Sequence, residues 1–374
     1  MDVTNPTSLM NSTEMALSNA SPLTYAERIA LAVFCVLVAV CGILGNTLVV
    51  LAVWLSRRLR TATNVYVVNL SVADMVTCLS VPAYVIALMS WEEWPGNELP
   101  CALVAALSMV CVGCSQFTLA GIALNRYVLV TKARDIYITF YSRRNLVIST
   151  AITWLIPILA VFLPLAFGVG DLGFDPKYSR CGPKHTESHT YDSIMALILF
   201  PIPFGTTVYC YLKIFIFVRR HCNNMVPAAG EQSSSSVAAK NVNNDVITSL
   251  GNRTSGNNAL NEQCVKQARK RFNRRQHEIT KNLFYVVCAF VICLTPYSAL
   301  LLIPGTDRYV PYAGVLFLLN SALNPAIYAI KHPHFKSVFK AILLMDLAEI
   351  PEPVSFLRNA NNAPNKPAIS SGEI

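Results

Sequence analysis

The residues of this sequence best suited to chemistry lie inside long apolar runs. Asp74 falls mid-way along one such run, in Asn69-Leu-Ser-Val-Ala-Asp74, and polar Asn46, Ser115, Asn320, Ser321 and Asn324 sit at comparable depth in others. A charge at the centre of a membrane-spanning helix costs about 3 kcal/mol on insertion scales, so Asp74 is a functional candidate by default. Carboxylate, hydroxyl and amide oxygens together suit a hard cation. The pattern therefore predicts either a sodium site built from Asp74, Ser115, Asn320, Ser321 and Asn324 or a hydrogen-bonded network without an ion. A second group, Asn125-Arg126-Tyr127, closes another apolar run. Arginine suits a switch because it stays charged and offers several directed donors. Nothing resembles an enzyme's equipment: no catalytic nucleophile, metal cluster or phosphate loop stands at a credible position, and His277-Glu278 is not a metal motif.

The elements that must position these residues are hydrophobic helices. The chain is 53% hydrophobic and 14% charged over 374 residues, against roughly 25% charged in an average soluble protein. Seven stretches supply the roughly 20 apolar residues that a helix needs to cross a bilayer. They cover about residues 26 to 54, 62 to 90, 99 to 130, 145 to 168, 191 to 218, 279 to 303 and 309 to 330. None alternates as an outer-membrane strand does. The expected fold class is an all-α membrane protein, a seven-helix bundle.

The net charge of +9 is concentrated in particular loops rather than spread as a nucleic-acid surface. Arg57, Arg58 and Arg60, then Lys132, Arg134, Arg143 and Arg144, then Arg219 and Arg220 occupy alternate connections, as do Lys266 to Arg275 and Lys331, Lys336 and Lys340. The positive-inside rule assigns these to the cytoplasm, which places the N-terminus outside a plasma-membrane protein. Two acceptors for N-glycosylation, Asn11 and Asn19, lie in the N-terminal tail and agree with that orientation. No separate cleavable signal peptide is evident, so the first span is expected to direct insertion.

Residues 1 to 25 form a polar extracellular tail and residues 26 to 331 the seven-span domain, with a flexible third cytoplasmic loop at about 221 to 265. Residues 332 to 344 place Phe335, Val338, Phe339, Ile342 and Leu343 at helical spacing among Lys336 and Lys340, predicting an amphipathic eighth helix on the inner membrane surface. Residues 345 to 374 are a polar cytoplasmic tail.

Taken together, the motifs resemble those of the rhodopsin-like, or class A, G-protein-coupled receptors across residues 26 to 344. Gly45-Asn46 lies in the first span, Leu70 with Ala73-Asp74 in the second, and Cys101 and then Asn125-Arg126-Tyr127 in the third. Trp154 marks the fourth, Pro203 and Tyr211 the fifth, Phe290 with Cys293-Leu294-Thr295-Pro296 the sixth, and Asn324-Pro325-Ala326-Ile327-Tyr328 the seventh. The resemblance implies a heterotrimeric G protein and an extracellular ligand as partners, with arrestin and receptor kinases beside them. It makes Arg126 the group that meets the G protein. Tyr211 and Tyr328 would swing toward it, and Pro203, Pro296 and Pro325 would act as pivots. Topology and resemblance together imply a Cys101–Cys181 disulfide.

Three positions depart from the family pattern. Asn125 replaces the usual acidic residue before the arginine, as in melatonin receptors. Leu294 stands where tryptophan is usual, and Gln116 where an apolar side chain is. Seven residues after Cys101 the chain has Ser108 instead of an amine-pairing aspartate, and the seventh span has no lysine before Lys331 to hold retinal. The expected ligand contacts are Ser108, Met109, Val112, Tyr297 and Tyr312, with Tyr84 beside them, in a mostly neutral cavity. The Asn-Arg-Tyr triplet and the Cys-Tyr-Leu-Lys-Ile run at 210 to 214 favour a melatonin-like or other neutral small molecule, whereas Pro325 argues against a true melatonin receptor. A peptide or lipid ligand is the alternative within the family. A transporter is the alternative outside it, but the internal repeats and broken helices in matching positions that it predicts are not seen.

Overall fold

The computed structural model of the chain describes residues 23–91, 93–184, 189–225, 284–285, 287–300, 303 and 306–355. Expectations for the glycosylation acceptors, most of the third cytoplasmic loop, the basic run before the sixth span and the end of the tail lie outside the described residues.

Among the described residues six helices are long and apolar enough to cross a membrane: Tyr25–Leu55, Ala62–Met89, Leu99–Thr131, Arg143–Ala166, Ser193–Arg220 and Val310–Lys331. A shorter apolar helix, Val287–Leu300, stands between the last two. With it the architecture is a seven-span bundle. Large apolar side chains point outward along it, among them Leu37, Leu44, Leu79, Val147 and Phe215. In water such a surface would be unfavourable. Against lipid tails it has no such cost, which is why hydropathy alone marks the spans.

Local sequence explains the ends and breaks. The first span opens with a capping box, in which Thr24 Oγ1 accepts from the Glu27 amide at 3.3 Å and Glu27 Oε2 accepts from the Thr24 amide at 2.7 Å. The second divides at Ser80 into Ala62–Leu79 and Val81–Met89, because Pro82 lacks the N–H that would continue the ladder. Close approach between spans depends on missing side chains. A Cβ on Gly45 would lie 2.8 Å from Pro325 of the seventh span, and one on Gly113 would lie 2.7 Å from Pro157 of the fourth.

One end of the bundle carries a hairpin. Strands β1 (Leu172–Asp175) and β2 (Arg180–Pro183) pair antiparallel, with Phe174 opposite Cys181 and Asp175 opposite Arg180. Cys101 and Cys181 form the expected disulfide, which fastens β2 to the start of the third span. The opposite end, the basic end, carries Pro333–Leu343, a helix whose Phe335, Val338 and Phe339 are buried. They pack with Val49 and Leu59, and with Ile350 and Val354 from the segment that follows. Much of the apolar face expected to lie on a membrane is thus covered by protein, and Leu343 and Leu344 are the exposed remainder. The segment is also tied by its backbone: the Arg57 amide donates to the Glu352 carbonyl at 2.9 Å and the Val354 amide to the Leu55 carbonyl at 3.1 Å.

Candidate functional site

The polar residues of the spans collect at three depths. At mid-depth Asp74, 1% exposed, gathers three donors from two other spans. Its Oδ1 accepts from Ser115 Oγ at 3.4 Å and Ser321 Oγ at 3.2 Å, and its Oδ2 from Asn324 Nδ2 at 2.8 Å. The amide oxygens of Asn320 and Asn324 are buried without a hydrogen-bond partner. Asp74, Ser115, Asn320 and Ser321 line a small cavity of about 10 Å³, the room of a water-sized guest, together with Val112, Phe290, Leu294 and Phe317. Asn46 is turned elsewhere, donating to the backbone carbonyls of Gly42 at 2.9 Å and Ser321 at 2.8 Å, and so joins the first span to the seventh.

A second polar group, one turn and a half along the same helix, is closed. Asn69 Nδ2 donates to Thr118 Oγ1 at 2.7 Å and Thr153 Oγ1 at 3.1 Å, while its Oδ1 accepts from Trp154 Nε1 at 2.8 Å. Second, third and fourth spans are thereby joined at one residue. The sequence had marked Trp154 without showing what it holds.

Toward the basic end, Asn125 does what the missing acid does not. Its Oδ1 accepts from Thr63 Oγ1 at 2.6 Å and its Nδ2 donates to Tyr137 Oη at 3.3 Å, tying the third span to the second and to the loop helix Arg134–Phe140. Arg126 is 5% exposed, with Tyr137 and Tyr211 within electrostatic reach. The hydroxyls of Tyr211 and Tyr328 are buried without partners. Tyr328 stacks on Phe335 with ring centroids 5.5 Å apart, and Tyr127 meets Tyr209 edge-on at 6.3 Å. His332, just past the seventh span, is buried beside them, and burial lowers its pKa to about 3. Between these layers Gln116, Pro203, Phe290 and Leu294 line an apolar cavity of about 30 Å³ among the third, fifth and sixth spans. Leu294 borders both spaces.

At the hairpin end the expected ligand contacts separate. Ser108 is buried against Tyr84. Tyr297 lies 5.2 Å from Phe317, ring to ring. Val112 belongs to the mid-depth space and Met109 packs in the cluster around the disulfide. Tyr312 is not brought to the others: its hydroxyl donates to Glu27 at 2.7 Å, and Arg308 donates to the same carboxylate oxygen at 3.2 Å. A residue missed in the sequence enters instead. The Arg180 guanidinium lies 5.6 Å from the Tyr297 ring centroid and 5.0 Å from that of Tyr178. The available signal was its position next to Cys181, since a disulfide to the third span brings its neighbours over the mouth of the bundle.

The family model for the seven-transmembrane receptors of the rhodopsin family matches residues 45–328. The chain belongs to that family. Among the receptor's relatives, melatonin receptor type 1B-B of Danio rerio is 32% identical over 215 residues, covering 56% of this chain and 61% of that protein. The G-protein coupled receptor moody of Drosophila melanogaster is 25% identical over 379 residues, covering 92% of this chain and 55% of that protein. Melatonin receptor type 1C of Gallus gallus is 26% identical over 332 residues, covering 84% and 82%. The chain thus spans little more than half the length of the first two. Squid rhodopsin has the same fold, with a TM-score of 0.67 at 19% identity and 91% of each chain covered. The receptor combines the rhodopsin bundle with motifs that resemble those of melatonin receptors.

Proposed function

We propose that the receptor sits in the plasma membrane with its N-terminus outside, takes an extracellular ligand at the hairpin end and activates heterotrimeric G proteins at the basic end. The observation that carries this reading is the state of Arg126: a guanidinium held inside the bundle, within reach of Tyr137 and the buried hydroxyl of Tyr211, with its neighbour Asn125 engaged elsewhere. Such an arrangement has two stable forms, one with Arg126 enclosed and one with it turned toward a partner, and a ligand acts through its greater affinity for the second. The relatives named for melatonin support a small organic ligand over a peptide.

The mid-depth oxygens fit a monovalent cation. Asp74 would supply the charge, and Ser115, Ser321, Asn320 and Asn324 neutral oxygens, two of which lack other partners. A cation there would favour one of the two forms and so make ligand affinity depend on sodium.

Arg126→Ala should reach the cell surface at near wild-type amounts yet lose at least nine-tenths of agonist-driven or basal nucleotide exchange on the G proteins that respond to the wild type. Full exchange by this variant would show that Arg126 is not the coupling group.

A further inference from the structure

The hairpin end holds a cation that no carboxylate among the described residues balances. Arg180 stands at the start of β2, one residue before the Cys181 sulfur that is bonded to Cys101, so its backbone is fixed over the mouth of the bundle. Its guanidinium rests against the rings of Tyr178 and Tyr297, and Tyr84 of the second span lies in its field. Arg180 Nε is buried with no hydrogen-bond partner. The neighbouring cation is in a different position. Lys184 pairs with Glu98 at 2.6 Å and Asp171 at 3.4 Å, and the Glu98 bond raises its pKa. Among the described residues no carboxylate pairs with Arg180, and Asp175, opposite it in the hairpin, instead accepts from the Lys177 amide at 3.1 Å. Below Arg180 the buried Ser108 hydroxyl lies against Tyr84.

Arg180 as a whole is only partly buried, but its Nε–H is shut off from water, and a buried donor left without an acceptor costs more than an aromatic face returns. We propose that the hairpin end takes a ligand bearing one organic carboxylate, which Arg180 holds while an apolar or aryl body lies against Tyr297 and Phe317. A planar guanidinium matches a carboxylate oxygen for oxygen. One positive charge balances one negative charge, whereas a phosphate monoester would bring nearly two. Amine ligands are disfavoured by repulsion as well as by the missing aspartate. This names the ligand class of the site described above and rests on the receptor reading.

The test uses the full-length purified receptor and a panel of aryl- and alkyl-carboxylic acids, each beside its primary amide, with alkyl phosphates as a third arm. Binding is read as a thermal shift and signalling as nucleotide exchange. Acids should raise the melting temperature where their amides do not. Arg180→Gln should weaken acid binding roughly a hundredfold, and Arg180→Lys should retain part of it. Both variants are checked for the intact Cys101–Cys181 bond; if the Gln variant does not fold, the Lys variant and the acid–amide contrast on the wild type decide. Amides equal to acids, phosphates alone binding, acids binding the Gln variant undiminished, or a panel in which no acid binds would each overturn the proposal. Acids that bind through Arg180 without exchange on any G protein would instead overturn the signalling reading and leave the carboxylate site standing. Exchange driven by neutral probes would do the reverse.

Discussion

Asn69 and Asp74 lie on the same face-to-core stretch of the second span, and both are buried polar residues with partners on other helices. Asn69 uses its amide nitrogen and its oxygen, and its partners Thr118, Thr153 and Trp154 are used in turn. Asp74 is surrounded by donors, yet the amide oxygens beside it are unspent and open space adjoins it. The first arrangement holds three helices in one place. The second holds a charge in a place where something else can join it. Burial and polarity alone do not separate a fastening from a site; the count of unsatisfied atoms around them does.

The comparison is broken most directly at its closed member. Asn69→Leu removes the acceptor of Trp154 Nε1 and the donor to two hydroxyls, so the detergent-solubilised receptor should lose about 2 kcal/mol of stability and show reduced surface expression. An unchanged melting temperature would mean that the cluster holds nothing. A smaller effect is expected at His332, which is buried neutral with its pKa lowered from 6.5 to about 3. The unfolded chain takes up a proton near 6.5 and the folded chain does not, so the stability that His332 contributes is complete above that pH and declines as pH falls toward 3. At pH 5.5 the decline should be about 1 kcal/mol relative to pH 7.5, and His332→Gln should abolish that part of the slope in a thermal-shift series. Asp74→Asn should change stability least, by under about 1 kcal/mol, because Asn keeps an acceptor for Ser115, Ser321 or Asn324. Its effect belongs to function: agonist affinity should cease to depend on sodium, and a variant as sodium-sensitive as the wild type would show that the space is an ion-free network.

What the sequence made legible follows the same division. The spans, their order and the depth of Asp74 are one-dimensional properties, carried by runs of apolar residues long enough to leave few alternatives. The disulfide was readable because topology and motif agreed. The break of the second span at Ser80 was not read, although Pro82 was there as its signal. Properties that depend on where a side chain points were not readable. Tyr312 and Tyr297 both come near the hairpin end, yet one is spent on Glu27 of the first span and the other meets Arg180. Arg180 lies in a loop with no periodicity, and only the register of the hairpin turns it inward. The apolar face of Pro333–Leu343 fits a membrane surface or a protein surface equally by its spacing; the covering residues Ile350 and Val354 stand in a tail whose composition suggested neither.

That tail segment has a practical bearing on how the receptor is studied. A fluorescent or affinity fusion made at the end of the amphipathic helix, say after Leu344, would discard Ile350 and Val354 and leave Leu59 and Phe339 facing solvent. It would also cut the backbone bonds that anchor the turn at Ser56 and Arg57. Reporters for a receptor of this design are better joined beyond Ser355, where the surface at the basic end that the reporter is meant to observe is still whole.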